Sequence, residues 1–189
     1  YFEFFPAQRA AENGRTAAAL YEYCTAFLLM FIIPALIARF GFGWRLKQCG
    51  LSAGRYKQGL KIVILLLPLF ILAAWTGSSN PGMQAEYPLA GPAMNRPMVF
   101  LLVEAFYLIY YLGWEFFFRG FMQFGLEKRF GYIGAILTQT MVSALIHIGK
   151  PAAESFSAIA AGIVLGDVAC KTRSIIYPMT LHAAIGSNT

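Results

Sequence analysis

Hydrophobic residues fall along the chain in six long runs, separated by short polar or glycine- and proline-rich stretches. The runs occupy residues 16–38, 60–76, 99–126, 131–149, 155–170 and 174–188. Most of them approach the roughly 20 residues that an α-helix needs to cross a hydrocarbon core about 30 Å thick. Because a backbone in lipid must satisfy its own hydrogen bonds, such runs form helices. The pattern predicts an all-α fold, a polytopic transmembrane helical bundle with about six spans.

Composition supports a membrane protein and excludes several other classes. Hydrophobic residues make up 58% of the 189 residues and charged residues only 13%, too few to coat a soluble domain of this size. The net charge of +6 comes from Lys and Arg placed between the hydrophobic runs rather than along one polar face, so we expect no nucleic-acid partner. The three cysteines form no CxxC pair, which argues against a disulfide framework or a zinc finger.

The basic residues predict how the chain crosses the membrane. The connection 39–59 carries five Lys or Arg residues and no acidic one, which places it in the cytoplasm by the positive-inside rule. Alternation then puts Lys128, Arg129, Lys171 and Arg173 on the same side. The connection 77–98 is rich in glycine, proline and serine, and we predict an extended external loop without regular structure.

Two of the hydrophobic runs carry a polar stripe at helical spacing. Ionisable groups inside a bilayer are costly, so each needs a partner or a water-filled cavity. The stripe of the third run is Tyr107, Tyr111, Glu115, Arg119 and Gln123, and that of the fourth is Gln139, Ser143 and His147. Glu115 and Arg119 are four residues apart, the spacing that brings a carboxylate and a guanidinium together. We expect the stripes to face each other, with Glu115 and His147 each about 22 to 24 Å from the turn at Phe130/Gly131.

Other positions carry simpler expectations. His182 lies about nine residues into the last run, roughly 13 Å from its start, so it should be shallower unless the helices tilt. Glu22 and Glu104 are expected at the ends or edges of spans, and Asp167 is expected to cap or pair near Lys171. The third run exceeds the length of a bilayer crossing, which favours a break near Gly120. The four-residue repeat of Ala158, Gly162 and Gly166 in the fifth run predicts close helix packing.

The ionisable residues within the runs allow a catalytic and a structural interpretation. One carboxylate and two imidazoles in a low-dielectric cavity can activate water to hydrolyse a peptide bond, with other donors stabilising the oxyanion. Alternatively, Glu115 and Arg119 form a purely structural ion pair, His147 is an interfacial helix-end residue and His182 is a satisfied core histidine. The chain has only two histidines, and their co-occurrence with Glu115 favours the catalytic interpretation.

Three short motifs carry a family resemblance. They are WEFFFRG at 114–120, ALIH at 144–147 and LHAAIG at 181–186. Together they resemble the CAAX-protease and bacteriocin-processing family of intramembrane endopeptidases, also called CPBP or Abi. The family pattern is a pair of glutamates followed after three residues by arginine, then a helix ending in histidine, then a later histidine followed after three residues by asparagine or aspartate. The chain departs from it at the first glutamate, which is Trp114, and at the asparagine, which is Gly186.

The resemblance covers about residues 99–189 and implies a membrane-embedded peptidase of the bacterial plasma membrane. Its substrate would be a peptide or protein in or at the bilayer. Residues 1–98 would supply two spans and residues 99–189 a catalytic core of four, integrated in one domain.

The resemblance also implies roles for individual residues. Glu115 with His147 would deprotonate water, His182 would stabilise the oxyanion or donate to it, and Arg119 would hold the helix geometry. For the missing carboxylate two hypotheses stand beside the resemblance: Glu115 is itself the base, or Glu154, seven residues after His147, folds back over the site, an idea that rests on proximity in sequence alone.

Cofactor and enzyme status stay open at this point. The resemblance does not decide whether a divalent metal such as zinc takes part, but any such metal would have Glu115, His147 and His182 as ligands. One rival is a non-catalytic relative that binds a membrane peptide or partner protein, for which Trp114 and Gly186 speak. A second is a small proton-coupled transporter in which Glu115 and the histidines form a relay, although no inverted repeat is evident.

Overall fold

The computed structural model describes residues 13–87, 89–91 and 95–186, and within these ranges all regular elements are helical. The helices are α1 (Gly14–Gly41), α2 (Tyr56–Ser78), α3 (Pro81–Glu86), α4 (Pro97–Glu115), α5 (Phe124–Ile146), α6 (Ala152–Thr172) and α7 (Ile176–Gly186). A π-helical segment, Phe116–Gln123, joins α4 to α5, and a 3-10 turn, Leu46–Cys49, lies between α1 and α2. The predicted all-α bundle is confirmed.

The described residues include four helical stretches that are long and apolar enough to cross a membrane: Gly14–Gly41, Tyr56–Ser78, Pro97–Ile146 and Ala152–Thr172. The longest reverses direction at Gly131, whose φ of 70° and ψ of 178° suit only glycine. The third and fourth predicted spans therefore separate at the predicted turn. The sixth predicted span is the short helix α7, whose 11 residues extend about 16 Å.

The helical backbone continues through Gly120, so the predicted break there is wrong. Instead the helix widens from α to π geometry over Phe116–Gln123. Gly120 has a different function, because a Cβ at this position would lie 2.5 Å from the Cys49 carbonyl oxygen. The glycine thus lets the connection between α1 and α2 press against the segment that carries Arg119.

Close packing of α6 confirms the expectation from its small residues. A Cβ on Gly162 would lie 2.8 Å from the Thr140 side chain of α5. A Cβ on Gly166 would lie 2.8 Å from Gln123 Oε1 and 2.9 Å from Gln139 Nε2. The two glutamines therefore converge on one point of α6, and the two polar stripes face each other there as predicted.

The basic connections meet at one end of the bundle, as the alternation of spans predicts. The Ile175 amide donates to the Gly50 carbonyl over 3.1 Å, and Arg173 Nη2 donates to Glu127 over 2.8 Å. The hydrogen bond with Glu127 raises the pKa of Arg173. Burial raises the pKa of the Cys49 thiol, which keeps it protonated and unreactive.

At the opposite end, the external connection is more ordered than its composition indicates. It forms the short helix α3, and beyond it the Tyr87 hydroxyl donates to Glu154 over 3.0 Å. The Thr16 hydroxyl donates to the Ala90 carbonyl, also over 3.0 Å. The prediction of an extended loop is therefore wrong for these residues, because contacts with α1 and α6 hold them over the bundle end.

Candidate active site

A cavity of about 160 Å³ lies between α1, α4, α5, α6 and α7, near the end of the bundle that is predicted to be external. Three of the predicted site residues line it: His147 at the end of α5, His182 in α7 and Glu154 in the first turn of α6. Trp114, which stands at the family's first glutamate position, lines it as well. The fold therefore brings residues from distant parts of the sequence to one chamber inside the predicted membrane region.

Glu115 and Arg119 form the enclosed wall behind this cavity. Glu115 is 0% and Arg119 1% exposed, and Arg119 Nη1 lies 3.1 Å from Glu115 Oε1. The same carboxylate oxygen lies 2.7 Å from His182 Nδ1. The contact predicted from the four-residue spacing is thus present, and it extends to a third group. Removing either member of a buried ion pair leaves an uncompensated buried charge, so replacement of Glu115 or Arg119 alone should destabilise the protein.

His182 is deeper than residue counting along the sequence suggested. The short helix α7 starts beside Gly50 and brings the imidazole directly to the Glu115 carboxylate. Since a carboxylate only accepts hydrogen bonds, the Nδ1 of His182 carries the proton. In the neutral ring the remaining lone pair is then on Nε2, which is the nitrogen a general base would use.

His147 has the same tautomer for a different reason. Its Nδ1 lies 2.8 Å from the carbonyl oxygen of Ser143, one helical turn earlier, and a carbonyl can only accept. Its Nε2 therefore holds the lone pair as well. Among the contacts of the described residues there is none between His147 and Glu115. The Trp114 indole lies near both histidines, with its ring centre 5.7 Å from that of His147 and 6.4 Å from that of His182.

Glu154 lies at the external rim of the cavity. Its Oε1 accepts the hydrogen bond from Tyr87, and the Lys150 ammonium lies 5.7 Å from the centre of the Tyr87 ring. The structure thus places this carboxylate on the same chamber as the two histidines, as the sequence hypothesis required. Its part in catalysis stays a prediction.

Tyr107 and Tyr111 explain the departure at Gly186. Their hydroxyl oxygens are 2.8 Å apart. A Cβ on Gly186 would lie 2.5 Å from the Tyr107 hydroxyl and closer still to that of Tyr111. The two tyrosines occupy the space that a larger residue at this position would need. Sequence reasoning missed this link, although both tyrosines belonged to the predicted polar stripe.

The site does not fit a divalent metal. Within the ranges that the structure describes, no three His, Cys, Asp or Glu side chains come close enough to hold one. Of the ligands expected from the sequence, Glu115 is enclosed and paired with Arg119, whose positive charge opposes a cation, and His147 is not grouped with it. The predicted ligand set is therefore not assembled.

The rest of the two polar stripes has a purely structural environment. Gln123 Nε2 donates to the Gly166 carbonyl over 2.9 Å and to Cys170 Sγ over 3.0 Å. Gln139 Nε2 donates to the Gly162 carbonyl over 2.8 Å. Both glutamines are fully buried and do not line the cavity. They connect α6 to its neighbours.

Comparison with known proteins gives a family match for the part of the chain that contains the cavity histidines and Glu115. Residues 96–187 match the model of the family described as type II CAAX prenyl endopeptidase Rce1-like, a family of proteases. No curated protein and no solved structure matches the chain. The matched segment runs from the start of α4 to the end of α7 and contains Glu115, His147, Glu154 and His182. Over these 92 residues, slightly less than half of the chain, the protein is similar to the Rce1-like family of CAAX-type membrane endopeptidases.

Proposed function

We propose that the chain is an intramembrane endopeptidase in which His182, held by Glu115, activates the water that hydrolyses a peptide bond. The observation that carries the proposal is the 2.7 Å contact between His182 Nδ1 and Glu115 Oε1, at the wall of a cavity that His147 also lines. The match of residues 96–187 to a protease family supports the same conclusion. The substrate is a peptide or protein segment that reaches this chamber within or at the membrane.

His182 is the proposed general base. Its Nδ1–H is fixed by the carboxylate, so its Nε2 is free to take a proton from water, and the resulting imidazolium is stabilised by Glu115. Glu115 itself is fully enclosed, so it acts through His182 and is a positioning residue. Arg119 in turn holds Glu115 through the buried ion pair. These roles differ from those expected at first, in which Glu115 and His147 shared the base function.

The hydrolytic step then balances with the groups of this chain. The water oxygen bonds to the scissile carbonyl carbon while one water proton moves to His182 Nε2. His147 Nε2 accepts a hydrogen bond from the other water proton and orients the attacking lone pair. When the tetrahedral intermediate collapses, the carbon–nitrogen bond breaks and His182 Nε2–H returns its proton to the leaving nitrogen. The products are a carboxylic acid and an amine.

Trp114 supplies the proposed hydrogen bond to the oxyanion. Its indole Nε1–H is buried and has no acceptor among the described residues. Buried indole N–H groups usually find a partner, so an acceptor is missing from the protein alone. A carbonyl oxygen that becomes negative in the transition state would be stabilised by such a donor. This role gives a chemical reason for tryptophan at the position of the family's first glutamate.

Glu154 remains the alternative proton acceptor, because it lines the same cavity. The Glu154→Gln variant decides its part. Loss of cleavage would assign the base function to Glu154, whereas full retention would leave it to His182.

The experiment that tests the proposal is cleavage of a broad labelled peptide library by the purified full chain in detergent. His182→Gln and His147→Gln are compared with the wild type, because both residues face the cavity and their replacement leaves the buried ion pair intact. Asp167→Asn is the matched control, since Asp167 pairs with Lys171 at the surface, over 2.7 Å and away from the cavity. We expect cleavage by the wild type and the control and its loss in both histidine variants, with unfolding temperatures unchanged.

A second candidate function becomes the conclusion if the folded wild type cleaves nothing. It is a non-catalytic relative that binds a membrane peptide in the same cavity. The observation that favours it is Trp114 in place of the family's first glutamate. Saturable peptide binding without product formation would establish it and contradict the peptidase.

A further inference from the structure

Aromatic rings line one part of the cavity, where α1 and α4 meet. They are Tyr23 from α1 and Tyr107, Tyr110, Tyr111 and Trp114 from α4. The ring centres of Tyr23, Tyr107 and Tyr110 are 5.1 to 5.8 Å apart. Three tyrosine rings thus form one cluster on the cavity wall, which we call the tyrosine cluster. Hydrolysis as proposed above assigns no function to it.

Glu22 lies beside the tyrosine cluster. Glu22 lines both the cavity and a groove on the outer face of α1, so it lies where the cavity and the groove meet. It is eight residues past the start of α1, about 12 Å along the helix, and its place at the end or edge of a span stays a prediction. In the described part of the chain its carboxylate has neither an ion-pair nor a hydrogen-bond partner. The Glu22 side chain is exposed, so its carboxylate can accept a cation from outside the protein, and inside a bilayer such a counter-charge lowers its cost.

The opposite rim of the cavity shows what such a cation would contact. There Lys150 lies over the Tyr87 ring, and the Tyr87 hydroxyl binds Glu154. A cation, an aromatic ring and a carboxylate are thus combined within the protein itself. At Glu22 the rings and the carboxylate are present, and the described residues provide no cation.

We propose that Glu22 and the tyrosine cluster form a binding site for an organic cation, the ammonium or guanidinium of a Lys or Arg side chain in the peptide substrate. Aromatic faces attract such cations, and a carboxylate adds a charge-assisted hydrogen bond. The cavity volume of about 160 Å³ suits one side chain, since a cavity of about that size in another protein holds a benzene molecule.

The position of the site favours a peptide as the source of the cation. His147 and His182 line the same cavity, so a basic side chain held at Glu22 brings a nearby peptide bond to the proposed catalytic groups. This assignment of the substrate class rests on the proposed peptidase function, whereas the affinity for a cation does not. A choline headgroup has related chemistry and could reach Glu22 along the outer groove of α1, so the test includes it.

The test measures binding first, in the non-cleaving His147→Gln full chain in detergent at constant ionic strength. The probes are the N-acetyl amides of lysine, arginine and norleucine, together with phosphocholine. Trp114 lines the cavity, so its fluorescence reports binding, and the Trp114→Phe variant identifies its share of the signal. We expect saturable changes with the lysine and arginine probes at concentrations about tenfold lower than with norleucine.

Variants of the site measure the separate contributions of the Glu22 charge and the Tyr110 ring to binding. Glu22→Gln and Tyr110→Leu should each weaken binding of the lysine probe by about five- to tenfold, because they remove the charge or the ring face. Tyr110→Phe keeps the ring and should bind like the parent, as should the distant control Asp167→Asn. In the cleavage assay, Glu22→Gln in the otherwise wild-type chain should lose a preference for peptides with Lys or Arg near the scissile bond.

Three results would overturn the site as proposed. They are equal affinity for the norleucine and lysine probes, no saturable response to the lysine and arginine probes in folded protein, and binding of phosphocholine alone. The two proposals fail separately. Cation binding without any peptide cleavage removes the peptidase and keeps the site, whereas cleavage of neutral peptides without cation affinity removes the site and keeps the peptidase.

Discussion

Two polar regions of the bundle, represented on α5 by His147 and Gln139 about two helical turns apart, differ in what their side chains can reach. At the cavity, His147 and His182 each use one ring nitrogen for a protein contact and keep the other available. Two turns away, Gln123 and Gln139 donate to backbone carbonyls of α6. The first region has access to a chamber and the second does not. A polar side chain in a membrane span can therefore serve either chemistry or helix packing, and access decides which.

The largest effect is expected at Glu115, because it contacts the proposed base His182 and also forms a buried ion pair with Arg119. Glu115→Gln should abolish cleavage and lower the free energy of unfolding by about 3–5 kcal/mol, because the enclosed Arg119 guanidinium loses its counter-charge. Unfolding in a denaturing detergent and peptide cleavage measure the two effects. The double variant Glu115→Gln/Arg119→Gln should recover much of the stability and none of the activity. A single variant as stable as the wild type would contradict the importance of the ion pair.

Trp114→Phe tests chemistry with little change in packing. It keeps an aromatic ring and removes the indole N–H, so kcat should fall about 10²- to 10³-fold while KM and the unfolding temperature stay the same. Trp75→Phe is the control, because Trp75 is 68% exposed on α2 and far from the cavity lining. Equal activity of the Trp114 variant and the wild type would exclude the oxyanion role.

In the glutamine region the expected effect is on stability alone. Gly166→Ala places a methyl group within 3 Å of both glutamine side chains, an overpacking that should cost about 1–3 kcal/mol of unfolding free energy. Activity per folded molecule should stay within about twofold, since neither glutamine reaches the cavity. Gly77→Ala is the matched control, because a Cβ there has no neighbour within 4 Å and should be neutral or stabilising.

The smallest effect should come from Gln123→Leu. Hydrogen bonds between membrane helices average about 0.6 kcal/mol, and the Gln123 carbonyl oxygen has no partner to lose. Cleavage should be unchanged. A tenfold loss of activity in a stably folded Gln123→Leu protein would show that the two regions are coupled, and the distinction between them would then fail.

The polar stripes could be read from the sequence because helical spacing fixes which side chains share a face. The contact between Glu115 and Arg119 follows from that spacing within one helix. The convergence of Gln123 and Gln139 follows once the chain turns at Gly131 and brings two polar stripes together.

Features that depend on several helices could not be read in this way. The depth of His182 depends on where the short helix α7 starts, and the close approach of Gly120 to Cys49 depends on how the connection between α1 and α2 packs. The cavity beside Glu22 is formed by α1 and α4 together, so it could not be predicted from the sequence of α1 alone. The contact of Tyr107 and Tyr111 with Gly186 likewise depends on how α4 and α7 pack together.

The tyrosine cluster and Glu22 combine residues from a part of the chain that the family match covers with residues from a part that it does not cover. Tyr107 and Tyr110 lie within the family match of residues 96–187, whereas Glu22 and Tyr23 lie on α1, outside it. Mutation of α1 can therefore alter the chamber wall without touching the hydrolytic residues. Substitutions in this first helix thus offer a way to change which side chain the cavity accepts while the proposed hydrolytic residues stay the same.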